Sequence, residues 1–199
     1  MKTTVAAKRA FLDLLFIKNQ VHKLLSNDEK YRELIAFMMS NDFLESDEPL
    51  PSLKSMESTL NMKAHKLRKL ITDLYSEFFS YELKHGLKFN KLEIYFDLHY
   101  FEGQVGYFKC TDLAYIPRVG ENMTIPFLKA EVGTISFYVD SVEHSLENDI
   151  QRIDIRLNSG FYNQYFHFEK HKAYELGRIS LEDLFRKHDL NLKDKMDLR

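Results

Sequence analysis

A chain of 199 residues, with 44% hydrophobic and 29% charged side chains, has the composition of an ordinary globular protein, long enough for one large domain or two small ones. Its formal net charge of -2 excludes a uniformly basic nucleic-acid-binding protein, so any DNA-binding surface must be a local patch. The single cysteine, Cys110, excludes an internal disulfide and a multi-cysteine zinc site, and it is typical of a reducing compartment.

The N-terminal apolar stretch lacks the pattern of an export signal or a membrane span. It is interrupted by Asp13 and ends at Lys18, while Leu12, Leu15 and Phe16 follow helical spacing. This pattern predicts an amphipathic helix, and we expect a cytoplasmic protein that makes no membrane contact.

Up to Gly86, apolar residues recur at spacings of three and four, which predicts four helices. The first two are expected over about residues 11–25 and 31–39. The third should begin directly after Ser52, whose hydroxyl suits a helix N-cap. The fourth should run over about residues 63–84 and end at the glycine.

After Gly86 the period becomes two, which predicts short strands around residues 92–100, 135–139, 152–157 and 165–169. Residues 180–183, Ser-Leu-Glu-Asp, resemble a capping box and predict a C-terminal helix, with a frayed tail from Asn191. The expected fold class is therefore α+β. Residues 1–86 would form a helical helix-turn-helix domain, and residues 87–199 an antiparallel β-barrel or sandwich with a C-terminal helix.

The most informative stretch is Leu50–Leu74, which predicts two helices joined by a tight turn at residues 60–62. Residues 50–72 contain five basic side chains and one acidic side chain, a local charge of +4 in an acidic chain. On a helical wheel the second helix turns one side to the core and the other side outward. The outward and flanking residues are His65, Lys66, Arg68, Lys69 and Thr72.

The same stretch carries a longer pattern without a gap. Leu50-Pro51-Ser52 opens it, Lys54 adds a basic residue, Asn61-Met62 form the turn, and Leu67-Arg68 lie in the second helix. In these positions residues 50–71 resemble the winged helix-turn-helix of GntR-type bacterial transcriptional regulators, whose pattern is roughly LPSER-LA--L-VSR-TVR-AL.

This resemblance implies DNA contacts by Ser52, Lys54 and Arg68, which match family positions that contact DNA. Lys63 and Ala64 stand where the family has a serine and an arginine that also contact DNA. The Gly-rich wing of the family has no clear counterpart after the second helix. We therefore expect base recognition to differ from that of the family.

Two alternatives compete with DNA binding. In the first, the protein is an interaction module whose helix-turn-helix packs on a protein partner. In the second, His167, Glu169 and His171 lie on one face of a strand and hold the metal of a small β-barrel enzyme, because imidazole and carboxylate groups bind zinc or iron. An exposed polar strand face is the simpler interpretation of these three residues.

We therefore expect a transcriptional regulator that binds double-stranded DNA and is not an enzyme. The second helix of the pair would enter the major groove. His65, Lys69 and Thr72 would face bases, while Ser52, Lys54, Lys66 and Arg68 would hold phosphates. The β-domain would bind a ligand, a protein partner or a second copy of the chain, and no metal or cofactor is expected.

Overall fold

The computed structural model describes residues 5–44, 49–100, 103–186, 192–193, 195–196 and 198, with the backbone alone for 81–85 and 185–186. Contacts divide the chain into two compact units. The first comprises Met1–Leu92 with Ser145–Gln151, and the second comprises Glu93–His144 with Arg152–Arg199. The sequence also predicts an acidic loop at residues 45–49, of which residues 45–48 lie outside the described residues.

The helices described in the first unit are α1 (Ala7–Leu15), α2 (Lys18–Leu25), α3 (Arg32–Met39), α4 (Leu53–Thr59) and α5 (Ala64–His85). Those from α3 onward confirm the predicted helices. Their apolar sides converge on one core, in which the side chains of α5 that face inward are fully buried. These side chains are Leu67, Ile71, Leu74 and Phe78.

The single first helix predicted from the sequence is wrong, because it is divided at Phe16 and Ile17. Ile17 has φ -131° and ψ 22°, outside the helical range. The carbonyl oxygen of Phe16 accepts a hydrogen bond from the Asn148 amide (2.8 Å). Residues 145–151 thus take a carbonyl group that a continuous helix would use internally.

Most residues of a curled, five-stranded half-barrel belong to the second unit. Its strands are β1 (Lys91–His99), β2 (Val105–Cys110), β3 (Asn122–Thr124), β4 (Ser136–Glu147) and β5 (Ile150–Ser159). The strand order is β2-β1-β5-β4-β3. The predicted α+β class is confirmed. The predicted antiparallel barrel or sandwich is corrected to an open, mixed sheet.

The mixed character arises where β1 lies beside β5. The Lys91 amide, at the start of β1, donates to the carbonyl of Asp149, which directly precedes β5 (3.1 Å). Neighbouring strands that begin at the same edge run in the same direction. By contrast, β1 pairs with β2 and β3 pairs with β4 in antiparallel fashion.

The inner face of this sheet is apolar and closely packed. Phe96 of β1 stacks on Phe108 of β2, with ring centroids 4.6 Å apart. A short helix, α6 (Lys129–Val132), covers Gly106 of β2. A methyl group at Gly106 would lie 2.5 Å from Cγ2 of Val132, so only glycine allows this close approach.

Two helices follow the sheet, α7 (Gln164–Glu175) and α8 (Leu181–Arg186). The predicted capping box at the start of α8 is confirmed. The Asp183 amide donates to Oγ of Ser180 (3.1 Å), and the Ser180 amide donates to Oδ2 of Asp183 (3.2 Å). The predicted frayed tail is wrong in part, because Leu192 and Met196 are buried beside Phe166.

The strand predicted at residues 165–169 is wrong, because these residues lie in α7. The side chain of Asn163 caps the helix by accepting a hydrogen bond from the Phe166 amide (3.0 Å). Phe166, Lys170 and Ala173 are its buried residues, and their spacing of four and three is that of a helix face.

Candidate nucleic-acid interface

The connection between α4 and α5 is a tight turn with well-defined local geometry. Leu60 ends α4, Asn61 adopts the left-handed conformation (φ 48°), and the Met62 amide donates to the Glu57 carbonyl (3.0 Å). This is the pattern of a Schellman C-cap, in which glycine or asparagine occupies the left-handed position. Asn61 therefore suits the left-handed position of this turn.

The start of α4 is fixed by the predicted cap. Oγ of Ser52 accepts a hydrogen bond from the Ser55 amide (3.1 Å), as expected for an N-cap serine. Ser52 and Lys54 are both exposed. The Ser52 hydroxyl already accepts a hydrogen bond from the helix, while Lys54 lies in the first turn of α4.

The outward side of α5 is rich in positive charge over its first two turns. His65, Lys66, Arg68 and Lys69 are all exposed, as is Lys63 directly before the helix. Within the part of the chain that the structure describes, no carboxylate lies within ion-pair distance of the four cations among these residues. Their charges are therefore available to an external anion.

Lys63, Lys66 and Lys69 line an open depression of about 740 Å³ in the first unit. Its lining comes from the loop between α2 and α3, from the turn before α5 and from the outward side of α5. The lining residues are Lys30, Asn61, Met62, Lys63, His65, Lys66, Lys69, Leu70 and Asp73. The lining carries four lysines against one aspartate.

One wall of this depression is held by a hydrogen-bonded network. The Lys30 ammonium lies 3.2 Å from Asp73 of α5 and donates to the hydroxyl of Tyr31 (2.7 Å). That hydroxyl donates in turn to Oε2 of Glu77 (2.6 Å). Burial of the Tyr31 ring, followed by its hydrogen bond to Glu77, raises the pKa of Tyr31 to about 12. The network ties the α2–α3 loop to α5.

The structure divides the predicted DNA-contacting residues into groups. His65, Lys66 and Lys69 line the depression together. Arg68 is exposed but lies about 160° around the helix from Lys66, so it does not share that surface. Ser52 and Lys54 belong to α4.

Thr72 has a more restricted role than the sequence indicated. It is half-buried, and its hydroxyl donates to the backbone carbonyls of Arg68 (3.1 Å) and Lys69 (3.0 Å). A hydroxyl whose proton is used in this way still accepts hydrogen bonds but has no proton to donate. Thr72 would therefore contact a base only as an acceptor.

Sequence reasoning did not identify Lys30 and Asp73 as part of this surface. Lys30 precedes α5 by more than thirty residues, and no local pattern relates it to the helix. The sequence pattern predicts a basic stretch that includes Lys63 but indicates no contact for this residue. Its place in the lining follows from the turn geometry at Asn61, which brings the residues before α5 beside the helix surface.

The alternative metal site loses its geometric basis. His167, Glu169 and His171 lie in the helix α7, where residues two apart point to nearly opposite sides. The described residues contain no group of three or more His, Cys, Asp or Glu side chains arranged to hold a metal ion.

Comparison of this chain with protein-family models, curated protein sequences and solved structures finds no match. Among the described residues, no helix combines the length and the apolar character needed to cross a membrane.

Proposed function

We propose that the first unit binds double-stranded DNA through the outward side of α5 and the turn before it. The observation that carries this proposal is a set of exposed lysines, Lys63, Lys66 and Lys69, without a carboxylate partner among the described residues. Like charges at these spacings repel one another within a helix. An external polyanion would reduce this repulsion between the lysines, and the phosphate backbone of DNA is such a polyanion.

The distribution of charge along α5 indicates which part would contact DNA. The first two turns are basic, whereas Asp73 and Glu77 follow in the next turns. Recognition helices of the helix-turn-helix class contact base edges with their N-terminal residues. Lys66 and Lys69 would hold phosphates or guanine edges, and His65 would lie beside them. In a cell this activity would serve transcriptional regulation.

The first test is binding to random duplex DNA, measured by fluorescence anisotropy from about 50 mM to about 200 mM salt. The wild type should bind weakly and with a steep salt dependence. The Lys66→Ala/Lys69→Ala variant should bind roughly tenfold more weakly at low salt, with a slope of log K against log salt that is smaller by about two.

A matched control is Lys8→Ala/Arg9→Ala, which removes two exposed cations from α1 of the same unit. This control changes the net charge by the same amount as Lys66→Ala/Lys69→Ala. Its affinity for DNA should stay within about threefold of that of the wild type. If the two double variants lose affinity equally, binding reflects only overall charge. No measurable binding at low salt would refute the proposal and would favour a protein-interaction module.

A further inference from the structure

The depression beside α5 has a lining that is not only cationic. Its volume of about 740 Å³ lies within the range of small-molecule sites. Met62 and Leu70, both half-buried, supply apolar surface, whereas Lys63, Lys66 and Lys69 supply positive charge. Such a lining offers contacts both for an apolar group and for anionic groups.

The charge of the lining favours several phosphates over one. Four lysines and one aspartate give the lining a net charge of +3 when His65 is neutral. Lys66 and Lys69 lie about 4.5 Å apart along the axis of α5, and Lys63 lies directly before the helix. A triphosphate carries several negative charges and would contact all three lysines.

The same lining also offers contacts for the rest of a nucleotide. The thioether of Met62 and the side chain of Leu70 would contact a base, because thioethers pack favourably against aromatic rings. Asp73 is held in place by Lys30 at 3.2 Å and retains acceptor capacity for an amino or hydroxyl group. Asn61 lies on the same lining.

We infer that this depression binds a free nucleoside polyphosphate, and that the nucleotide and duplex DNA exclude each other because both use Lys66 and Lys69. The inference rests on the proposed function for its regulatory part, and the binding of nucleotide is measurable without DNA. A nucleotide would thus control DNA binding by direct competition, with no conformational change required.

The test is calorimetric titration of the full chain with ATP, inorganic tripolyphosphate and adenosine, at fixed ionic strength and with EDTA present. ATP should bind at a single site, at least about tenfold more tightly than either of the other two ligands. Lys63→Ala should weaken ATP binding roughly tenfold. Met62→Ala should weaken ATP binding but leave the weaker tripolyphosphate binding unchanged. Lys8→Ala/Arg9→Ala should change neither.

Tripolyphosphate binding as tight as that of ATP would show an unselective cation patch and would overturn the inference, as would the absence of saturable ATP binding. Lys63 is exposed, so its variant reports on the site even if Met62→Ala impairs folding. ATP should also displace labelled duplex DNA at concentrations that match its own dissociation constant. DNA bound together with ATP would refute the competition. ATP binding by a chain that does not bind DNA would refute only the proposed function.

Discussion

The outward side of α5 in the first unit and the outer face of β1, β2 and β5 in the second unit are both charged, but their charges are arranged differently. On the sheet, Lys109 lies 2.9 Å from Glu93, and Arg152 lies 2.7 Å from Asp154. On α5, Lys66 and the lysines beside it have no such partner among the described residues.

This difference separates charge that serves the fold from charge that is available for binding. The paired side chains on the sheet also pack on one another, since the Arg152 guanidinium lies 4.3 Å from the centroid of the Tyr95 ring. An anionic partner would have to break these pairs before it gained contacts. On α5 it would gain contacts and relieve repulsion at once, so the unpaired helix face is the better candidate for binding.

The largest expected effect on stability concerns the packed inner face of the sheet, where charge has no part. Gly106→Ala should lower the free energy of unfolding by about 1–3 kcal/mol, because its new methyl group meets Cγ2 of Val132. Val132→Ala introduced together with it should restore part of the loss. Urea unfolding of both single variants and the double variant would measure this coupling. Purely additive effects would show that the contact is not the cause.

A smaller effect on stability is expected for Tyr31, whose hydroxyl binds the Lys30 ammonium in the first unit. Tyr31→Phe removes the hydroxyl that links Lys30 to Glu77 and should cost about 1–2 kcal/mol near pH 8. Because burial raises the pKa of Tyr31 to about 12 from 10.0, the unfolded chain loses this proton first. The contribution of the neutral tyrosine to the free energy of unfolding is therefore fully present below pH 10.0 and is lost as the pH approaches about 12.

Urea unfolding of wild type and Tyr31→Phe at about pH 8 and about pH 11 would check this sign. The difference between the two proteins should be larger at the lower pH. If the difference in the free energy of unfolding is larger at the higher pH, Tyr31 does not stabilise the fold as a buried, neutral side chain.

The smallest effect distinguishes the two charged faces by its sign. Lys66→Ala/Lys69→Ala should raise the free energy of unfolding by a few tenths of a kcal/mol, because it removes repulsion at i, i+3 and positive charge near a helix N-terminus. Lys109→Ala should lower it slightly, because it removes the partner of Glu93. Paired thermal and urea melts would measure both changes. If both substitutions lower the free energy of unfolding by the same amount, the lysines of α5 do not differ from the paired charges of the sheet.

The parts of the fold that the sequence predicts correctly depend on local patterns of residues. The helices α3, α4 and α5 follow from apolar spacing, and Ser52 and residues 180–183 give helix starts that the hydrogen bonds confirm. The helix α7 was misread because Lys170 occupies a buried position. This lysine interrupts the helical period, whereas the alternation of Phe166 and Phe168 with polar residues imitates a strand.

The features that escaped prediction depend on contacts between distant residues. The break after α1 involves Asn148, and the mixed sheet requires β1 to lie beside β5. At the candidate site, the exposed cations of α5 were predicted from the helical wheel, and the structure confirms their exposure. The depression was not predicted, because one wall depends on Lys30 and its pairing with Asp73.

The most direct test of the account is lysine footprinting of the wild-type protein with and without duplex DNA. An amine-reactive reagent followed by mass spectrometry compares lysines on both faces in one sample, without any substitution. We expect DNA to protect Lys63, Lys66 and Lys69 strongly, while Lys109 and Lys91 of the sheet keep their reactivity. Protection of the sheet lysines, or equal reactivity of the α5 lysines with and without bound DNA, would contradict the account.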